Sequence, residues 1–464
     1  MVKFNAFQLF TCWQKWFLRF GILFSIWACT GGHSSPLIAQ TSLDPITLNM
    51  EEAQNMALQK NHLLQSSKKS VQKSEHRLTD ARSRFMPDIS AYANYTHNFE
   101  RPIFTINLMG QSQTVRMGTE ENIATGVQIN QPLYLGGAVR SGYEMAQLHS
   151  TVAENRHTLQ RQHVLLQVRR AFYQAIYTQQ LIGVAEEALR NAERNLDIVK
   201  RRADLGTASG FDIMRAEVRV SNARPRLIAA RHQHVQALTA LRTAIGLEPE
   251  QPVRIHGSFQ PPQFTWADTS VRELQQRAYR RRIELKNMRI QKQIQQKNLA
   301  VARSSLLPRI SASTALQYQL QDENIVLASD KYFRSIAGGI TFSVPLFTGW
   351  ETKASIAVAQ VNLKQITDEH RQLKQQVAAE VETAFQSLVQ AEEQLMAQQK
   401  TVTQARKSLE LAEISFKEGT ATQLDILNAQ LALQQSQTNT SQYLLQYYIA
   451  RDQLLKATNQ LSID

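Results

Sequence analysis

The chain has 464 residues, with 18 glycines and 12 prolines. So few turn-forming residues in so long a chain favour long uninterrupted helices over many short strands. The formal net charge is +13, but basic residues alternate with acidic and amide ones along predicted helices. This pattern is typical of a solvated helix face and argues against a nucleic-acid partner. The mature sequence has no apolar stretch of the roughly 18–20 residues that a membrane-spanning helix needs.

The N-terminal segment is typical of an export signal. Basic residues precede a short apolar run, 20–28, which is too short to cross a bilayer. Cleavage after Ala39, which we favour, makes residues 1–39 a signal peptide. The alternative is a lipoprotein signal that ends before Cys29 and leaves this residue lipidated, although a bulky residue two positions before it fits a lipobox poorly. The other cysteine, Cys12, also lies here, so the mature part has no disulfide and no cysteine metal site.

The most informative feature is an internal duplication. The segment NQPLYLGG at 130–137 is echoed by SVPLFTGW at 343–350, and LGTASGFDIMRAEV at 205–218 is echoed by EGTATQLDILNAQL at 418–431. Both pairs are separated by 213 positions, a period far too long for a solenoid repeat. The predicted domains are a first repeat (40–246), a Pro-rich linker (247–268) and a second repeat (269–464).

Each half is predicted to contain the same elements in the same order. A helix comes first, over about 48–85 and 270–306, and a proline ends it. Two strands of alternating apolar and polar residues follow, within 86–133 and 307–346, with a polar loop between them. The small or polar residues predicted to share one face of the second pair of strands are Ser311, Ser313, Gly339, Thr341 and Ser343.

Two long helices joined by a tight turn complete each half, over 139–246 and 352–460. Apolar residues recur every seven positions, mostly with an alanine three residues later, which predicts left-handed coiled-coil packing of closely spaced helices. A helix of about 65 residues reaches roughly 100 Å. Pro225 lies inside one returning helix and is expected to kink it. The apolar series in the second half is Val381, Leu388, Leu395, Val402, Leu409 and Phe416.

The four predicted strands are too few to form a closed barrel within one chain. Their length of about ten residues suits a tilted crossing of a bilayer, but the smallest closed barrels have about eight strands. Open sheet edges in lipid would leave backbone groups unpaired. Strands in the membrane must therefore be shared between chains, and the small polar face fits a wet interior, which favours three copies over two. The alternative fold is a soluble β-sandwich attached to a coiled-coil rod.

With these features the chain resembles the TolC family of outer-membrane efflux proteins, over about 46–461. The resemblance rests on the duplication, on the strand-to-helix junction at 131–137 and its echo at 344–349, and on the tip motif that begins at Gly206 and again at Gly419. It implies a mainly α fold with membrane β-barrel strands. A duplicated β-β-α-α unit would form a trimeric twelve-stranded barrel and a long coiled-coil helical tunnel. It also implies partners: a periplasmic adaptor, an inner-membrane pump and outer-membrane lipid.

The resemblance assigns the adaptor-docking role to the tips of the long helices. The glycines there end helices where a left-handed C-cap is needed. Thr207, Thr420 and Thr422 are expected to cap the returning helices. The expected docking residues are Gly206, Thr207, Ala208, Gly419, Thr420 and Ala421.

The resemblance also assigns a gate at the periplasmic aperture. Asp425 matches a family position whose carboxylates ring the aperture and attract cations, but the second acidic position falls on Asn428. Asp212 matches the acidic partner of links that hold the aperture shut, but its basic partner falls on Ala421 and its aromatic partner on Phe416, which lacks a hydroxyl. This latch is therefore not expected here. The alternative reading makes both aspartates helix N-terminal carboxylates that the helix dipole favours.

The expected function is a passive outer-membrane channel of a tripartite efflux system, located in the Gram-negative outer membrane and periplasm. Its cargo would be drugs, toxic compounds or metal ions. Two alternatives stay open: the duct of a type I protein secretion system, and a periplasmic coiled-coil scaffold that is not a channel. An enzyme is not expected, because the sequence contains no HExxH, GxSxG or GxxxxGK motif. No cofactor or metal is expected, since His232 and His234 point to different sides of a helix.

Overall fold

The computed structural model describes residues 44–108, 111–259, 262, 269–322 and 332–461. The predicted signal peptide and the possible lipidation site at Cys29 lie outside these residues. Within these ranges, none of the helices combines the length and apolar character required to cross a membrane. The fold is mainly helical.

The first half of the described chain carries six strands and four helices. Its elements are β1 (Ile46–Leu48), α1 (Met50–Lys60), α2 (His62–Ser83), β2 (Asp88–His97), β3 (Ile103–Leu108), β4 (Gln111–Arg116), β5 (Glu121–Leu135), α3 (Ala138–Asp204), α4 (Gly210–Ile245) and β6 (Val253–Ile255). The second half continues with α5 (Val271–Arg281), α6 (Ile283–Ser304), β7 (Arg309–Asp322), β8 (Tyr332–Ser343), α7 (Glu351–Lys417) and α8 (Gln423–Ala457).

The helix predicted over 48–85 is two helices, and the prediction of one was wrong. Asn61 has extended backbone between them, with φ −62° and ψ 121°. Its side-chain oxygen accepts hydrogen bonds from the backbone N–H groups of Leu63 and Leu64, at 3.0 and 3.2 Å. Its amide donates to the carbonyl of Ala244 at 2.9 Å. An asparagine that caps a helix and also ties it to α4 stabilises a break that apolar periodicity does not reveal.

The helix predicted over 270–306 is broken in the same way, at Arg282, where φ is −62° and ψ is 125°. The largely buried guanidinium of Arg282 forms ion pairs with Glu284 at 2.7 Å and with Glu380 at 2.5 Å. A buried arginine needs such partners, because an unpaired charge away from water is costly. The ion pair with Glu380 therefore holds the break against α7.

One antiparallel sheet joins β2, β5, β7 and β8 in that order. Its two faces differ in chemistry. The residues Ala91, Val127, Leu316 and Ile336 lie side by side across the four strands, and the next row, on the opposite face, is Ser90, Gln128, Ala315 and Ala337. Many apolar side chains of the first face are exposed, with Ile336 at 63% and Ile340 at 73%. Within the described residues, β2 and β8 each have one edge without a partner strand.

Two smaller sheets complete the strand pairing within the described ranges. The strands β1 and β6 pair in parallel and connect the N-terminal segment to the linker. The strands β3 and β4 form a hairpin in the segment predicted to be a polar loop. The sequence prediction missed this hairpin.

The long helices α3 and α7 have 67 residues each. The predicted seam is buried in the middle of α7, where Val381, Leu388 and Leu395 are 0% exposed, and is half-buried nearer the tip. Helix α4 continues without interruption through Pro225. This proline therefore does not end the helix.

Replacement of Asn61 with alanine should destabilise the fold by about 1–2 kcal/mol, because it removes a helix cap and leaves the Ala244 carbonyl without its donor. Ser270→Ala is the control, since Ser270 occupies an N-cap position without a side-chain cap bond. Denaturant midpoints measure both changes. Equal midpoints for the two variants would contradict this role of Asn61.

Candidate gate and docking surface at the helix tips

The turn between α3 and α4 is built around Gly206, whose φ is +73°. The N–H of Gly206 donates to the carbonyl of Ala203 at 2.9 Å, and the N–H of Thr207 donates to that of Arg202 at 2.8 Å. This is the Schellman pattern, which needs a residue in the left-handed region and so favours glycine. The predicted helix end at Gly206 is thus found in the backbone geometry.

The turn between α7 and α8 has the same geometry. Gly419 has φ +78°, and its N–H donates to the carbonyl of Phe416 at 3.1 Å. The N–H of Thr420 donates to the carbonyl of Ser415 at 2.9 Å. The residues expected to dock an adaptor therefore lie in two turns of matched shape.

The caps of the returning helices correct part of the sequence prediction. The N-cap residues are Ser209 for α4 and Thr422 for α8. Thr422 was predicted, but the capping roles of Thr207 and Thr420 were wrong. The hydroxyls of these two threonines donate instead to carbonyls of the helix that ends at the turn, at 3.0 Å in both cases.

Asp212 and Asp425 occupy the same position, the third residue of a returning helix. One carboxylate oxygen of Asp212 accepts from the hydroxyl and the N–H of Ser209, at 2.7 and 2.9 Å. Asp425 does the same with Thr422, at 2.6 and 2.8 Å. The hydroxyl bond first, and the backbone bond second, lower the pKa of both carboxyls below the ordinary value. Both are fully exposed capping-box residues that stay ionised at neutral pH.

The predicted gate residues are not joined by a salt bridge. Within the described residues, no ion pair links Asp212 to the α7–α8 hairpin, and Ala421 offers no charge. The ring of Phe416 instead faces the guanidinium of Arg202, 5.9 Å from its centroid. Asn428 is exposed and lies three residues after Asp425, on the same side of α8.

A second contact crosses between the hairpins at the tips. The side-chain amide of Gln423 donates to the side-chain oxygen of Asn195, which is buried. Neither Arg202 nor this amide pair was predicted, because the partners lie more than 200 positions apart and share no motif. Among the described residues, no group of three or more His, Cys, Asp or Glu side chains forms a metal site.

Replacement of Gly419 with alanine should destabilise the second tip by about 1 kcal/mol, because its left-handed backbone disfavours a Cβ atom. Hydrogen exchange at the amides of 415–422 should then accelerate about fivefold. Gly183→Ala is the control, since Gly183 lies inside α3 with open space around its Cα and should slightly stabilise the helix. Unchanged exchange in the Gly419→Ala variant would contradict the strain argument.

Comparisons with known proteins agree with this architecture. The family model described as "Outer membrane efflux protein" matches residues 53–247 and 274–460. The chain is 22% identical to "Outer membrane protein TolC" of Vibrio cholerae, over 89% of this chain and 91% of that protein. It is 24% identical to "Alkaline protease secretion protein AprF" of Pseudomonas aeruginosa, over 71% and 68% of the two chains.

Solved structures share the fold. The CmeC outer membrane channel of Campylobacter jejuni superposes with a TM-score of 0.73 at 15% identity, over 89% of this chain and 85% of that one. The matched residues of the family model include both sheet-bearing segments and both helical hairpins. The chain therefore belongs to the outer membrane efflux protein family, whose members are channels of the Gram-negative outer membrane.

Proposed function

We propose that this protein is the exit duct of a tripartite efflux system for small molecules. In this proposal a homotrimer carries a twelve-stranded barrel in the outer membrane and a coiled-coil tunnel in the periplasm. A periplasmic adaptor connects it to an inner-membrane pump, which supplies the energy. The duct itself is passive and has no catalytic chemistry. The observation that carries the proposal is the two-faced sheet, whose two edges have no partner strand among the described residues.

The sheet edges argue for shared closure. An unpaired backbone N–H or C=O in hydrocarbon costs several kcal/mol, and β2 and β8 extend over 10 and 12 residues. If β8 of one protomer pairs with β2 of the next, the ring closes with no edge left. Three protomers with four such strands each give twelve strands. That ring is wide enough for a wet interior lined by the polar face, whereas eight strands are filled by their own side chains.

An exposed apolar stripe on α4 supports the oligomer independently. Phe211, Met214, Val218 and Ile228 are 70%, 65%, 53% and 56% exposed. Their spacing places them along one side of the helix. Apolar side chains aligned in this way call for a facing helix, and in the proposed tunnel the neighbouring protomer supplies it.

The membrane position of the sheet can be tested at two adjacent residues of β8. Ile336→Lys places a charge on the apolar face near the middle of the strand and should cost about 2–4 kcal/mol in lipid. Ala337→Lys, on the opposite face, should be tolerated and should change ion selectivity. The measurements are trimer yield from outer membranes and conductance in planar bilayers. Equal yields for both variants would contradict a lipid-facing Ile336.

The tips supply the proposed docking and gating surfaces. The adaptor is proposed to dock on the two turns, at Gly206, Thr207, Ala208, Gly419, Thr420 and Ala421. Three copies of Asp425 around the trimer axis would favour cations, weakly, because Asn428 contributes no charge. Closure is proposed to depend on the Arg202–Phe416 contact and on the amide bond between Gln423 and Asn195. A cation over an aromatic face contributes about 0.5–1 kcal/mol at an exposed site.

Arg202→Ala should open the aperture more often and raise the mean conductance in planar bilayers, because it removes a contact between the hairpins. Arg201→Ala is the matched control, since Arg201 pairs with Asp197 of its own helix at 2.8 Å. Asp212→Asn should leave closure unchanged, because the hydrogen bonds that this carboxylate accepts come from Ser209 in its own turn. A conductance change in Asp212→Asn but not in Arg202→Ala would overturn this latch.

Protein secretion is the second candidate, because the relative named for alkaline protease secretion is 24% identical over 71% of this chain. The phenotype of a deletion strain distinguishes efflux of small molecules from protein secretion. Efflux predicts lost resistance to drugs or metals, and secretion predicts a protein missing from the culture medium. Crosslinking of the adaptor and pump would identify the system. A purified protein that forms no conducting trimer would favour the scaffold alternative and reject the duct.

A further inference from the structure

A cleft of about 280 Å³ lies between the two helical hairpins. The helices α3 and α4 form one side, and α8 with Leu409 of α7 forms the other. Its walls combine small and apolar residues with amide side chains, a mixture typical of small-molecule sites. Representative lining residues are Ala188, Asn191, Arg219, Asn222, Leu427 and Asn428.

Two arginines of α4 line this cleft, Arg219 and Arg226. They are seven residues apart, two turns along one side of the helix. Glu187 is the one acidic residue among the described lining residues, and it forms no ion pair with either guanidinium. The lining therefore carries a net positive charge.

Two other arginines of the same helix, Arg224 and Arg231, form ion pairs with glutamates of α3. Arg224 lies 3.7 Å from Glu193, and Arg231 lies 2.9 Å from Glu186. In the described part of the chain, Arg219 and Arg226 have no acidic group within ion-pairing distance. Burial, and then the nearby charge of Arg215, lower the pKa of Arg219. Arg219 is half-buried, whereas Arg226 is exposed. Because the half-buried guanidinium of Arg219 lacks a carboxylate, it has unused donors and incomplete hydration, which an anion would satisfy.

We propose that this cleft binds a small organic anion, with its carboxylate or similar acidic group on Arg219 and Arg226. Its apolar body would lie against the alanines of α3 and the leucines of α8. Amides of Asn191, Asn222 and Asn428 lie in the same lining and can donate further hydrogen bonds. Binding at this cleft does not require the protein to conduct or the tips to open.

Calorimetry with the full-length protein in lipid nanodiscs tests the site. The probe is 2-naphthoate, and the matched neutral compound is 2-naphthamide. We expect saturable naphthoate binding and affinity for the amide that is weaker by about tenfold or more, because the amide forfeits the charge-assisted bonds. Arg219→Gln should weaken naphthoate binding by a similar factor and leave the amide unaffected.

Two further variants test whether the position and the charge of Arg219 matter for binding. Arg224→Gln removes an arginine of the same helix that is paired with Glu193, so naphthoate binding should persist. Arg219→Lys keeps the positive charge and should retain most of the affinity. Naphthoate binding that is absent, that survives Arg219→Gln, or that falls equally in Arg224→Gln would overturn the proposal. Conductance in planar bilayers, measured separately, reports on the channel proposal alone.

Discussion

Backbone hydrogen bonding in hydrocarbon is the constraint on which the architecture depends. The sheet β2-β5-β7-β8 exposes apolar side chains on one face and polar ones on the other, and its outer strands have free edges among the described residues. Apolar faces enter lipid readily, but unpaired N–H and C=O groups do not. In lipid, the apolar side chains of a single protomer would therefore be well solvated, but the backbone N–H and C=O groups at its sheet edges would be unpaired. In the proposed trimer, pairing of β8 with β2 of the next protomer would satisfy these edges, so assembly would be part of folding.

The junctions between the strands and the long helices have left-handed backbone conformations. Gly136 and Gly137 turn β5 into α3 with φ +61° and +83°. A Cβ atom on Gly136 would lie 2.5 Å from the carbonyl oxygen of Ser304, so only glycine fits where α6 passes. At the second junction Trp350 has the left-handed backbone conformation, with φ +70°. Its ring packs edge-on against the ring of Phe347, with 6.2 Å between the ring centroids. The aromatic contact offsets part of the strain that glycine would avoid.

Features that depend on short-range sequence patterns were predicted correctly. The alternation along β7 gave the two-faced strand, and the glycines at 206 and 419 gave the helix ends. Features that depend on distant partners were missed. The break at Asn61 is anchored by a carbonyl 183 positions away, and Arg202 meets Phe416 only because two hairpins lie side by side. The cap at Ser209 was missed for a different reason: Thr207 is also a good capping residue, and only the Schellman geometry decides between them.

The carboxylates of Asp212 and Asp425 have a structural role that does not depend on gating. Asp212 and Asp425 make the same two bonds within their own turns, and these bonds account for an aspartate at each site without any gate. A carboxylate at a tip is therefore not by itself a reason to assign closure. The proposed closure requires a contact that crosses between the hairpins and breaks when they separate. In the described residues near the tips, the Arg202–Phe416 pair and the Gln423–Asn195 bond meet this condition, whereas the aspartates do not.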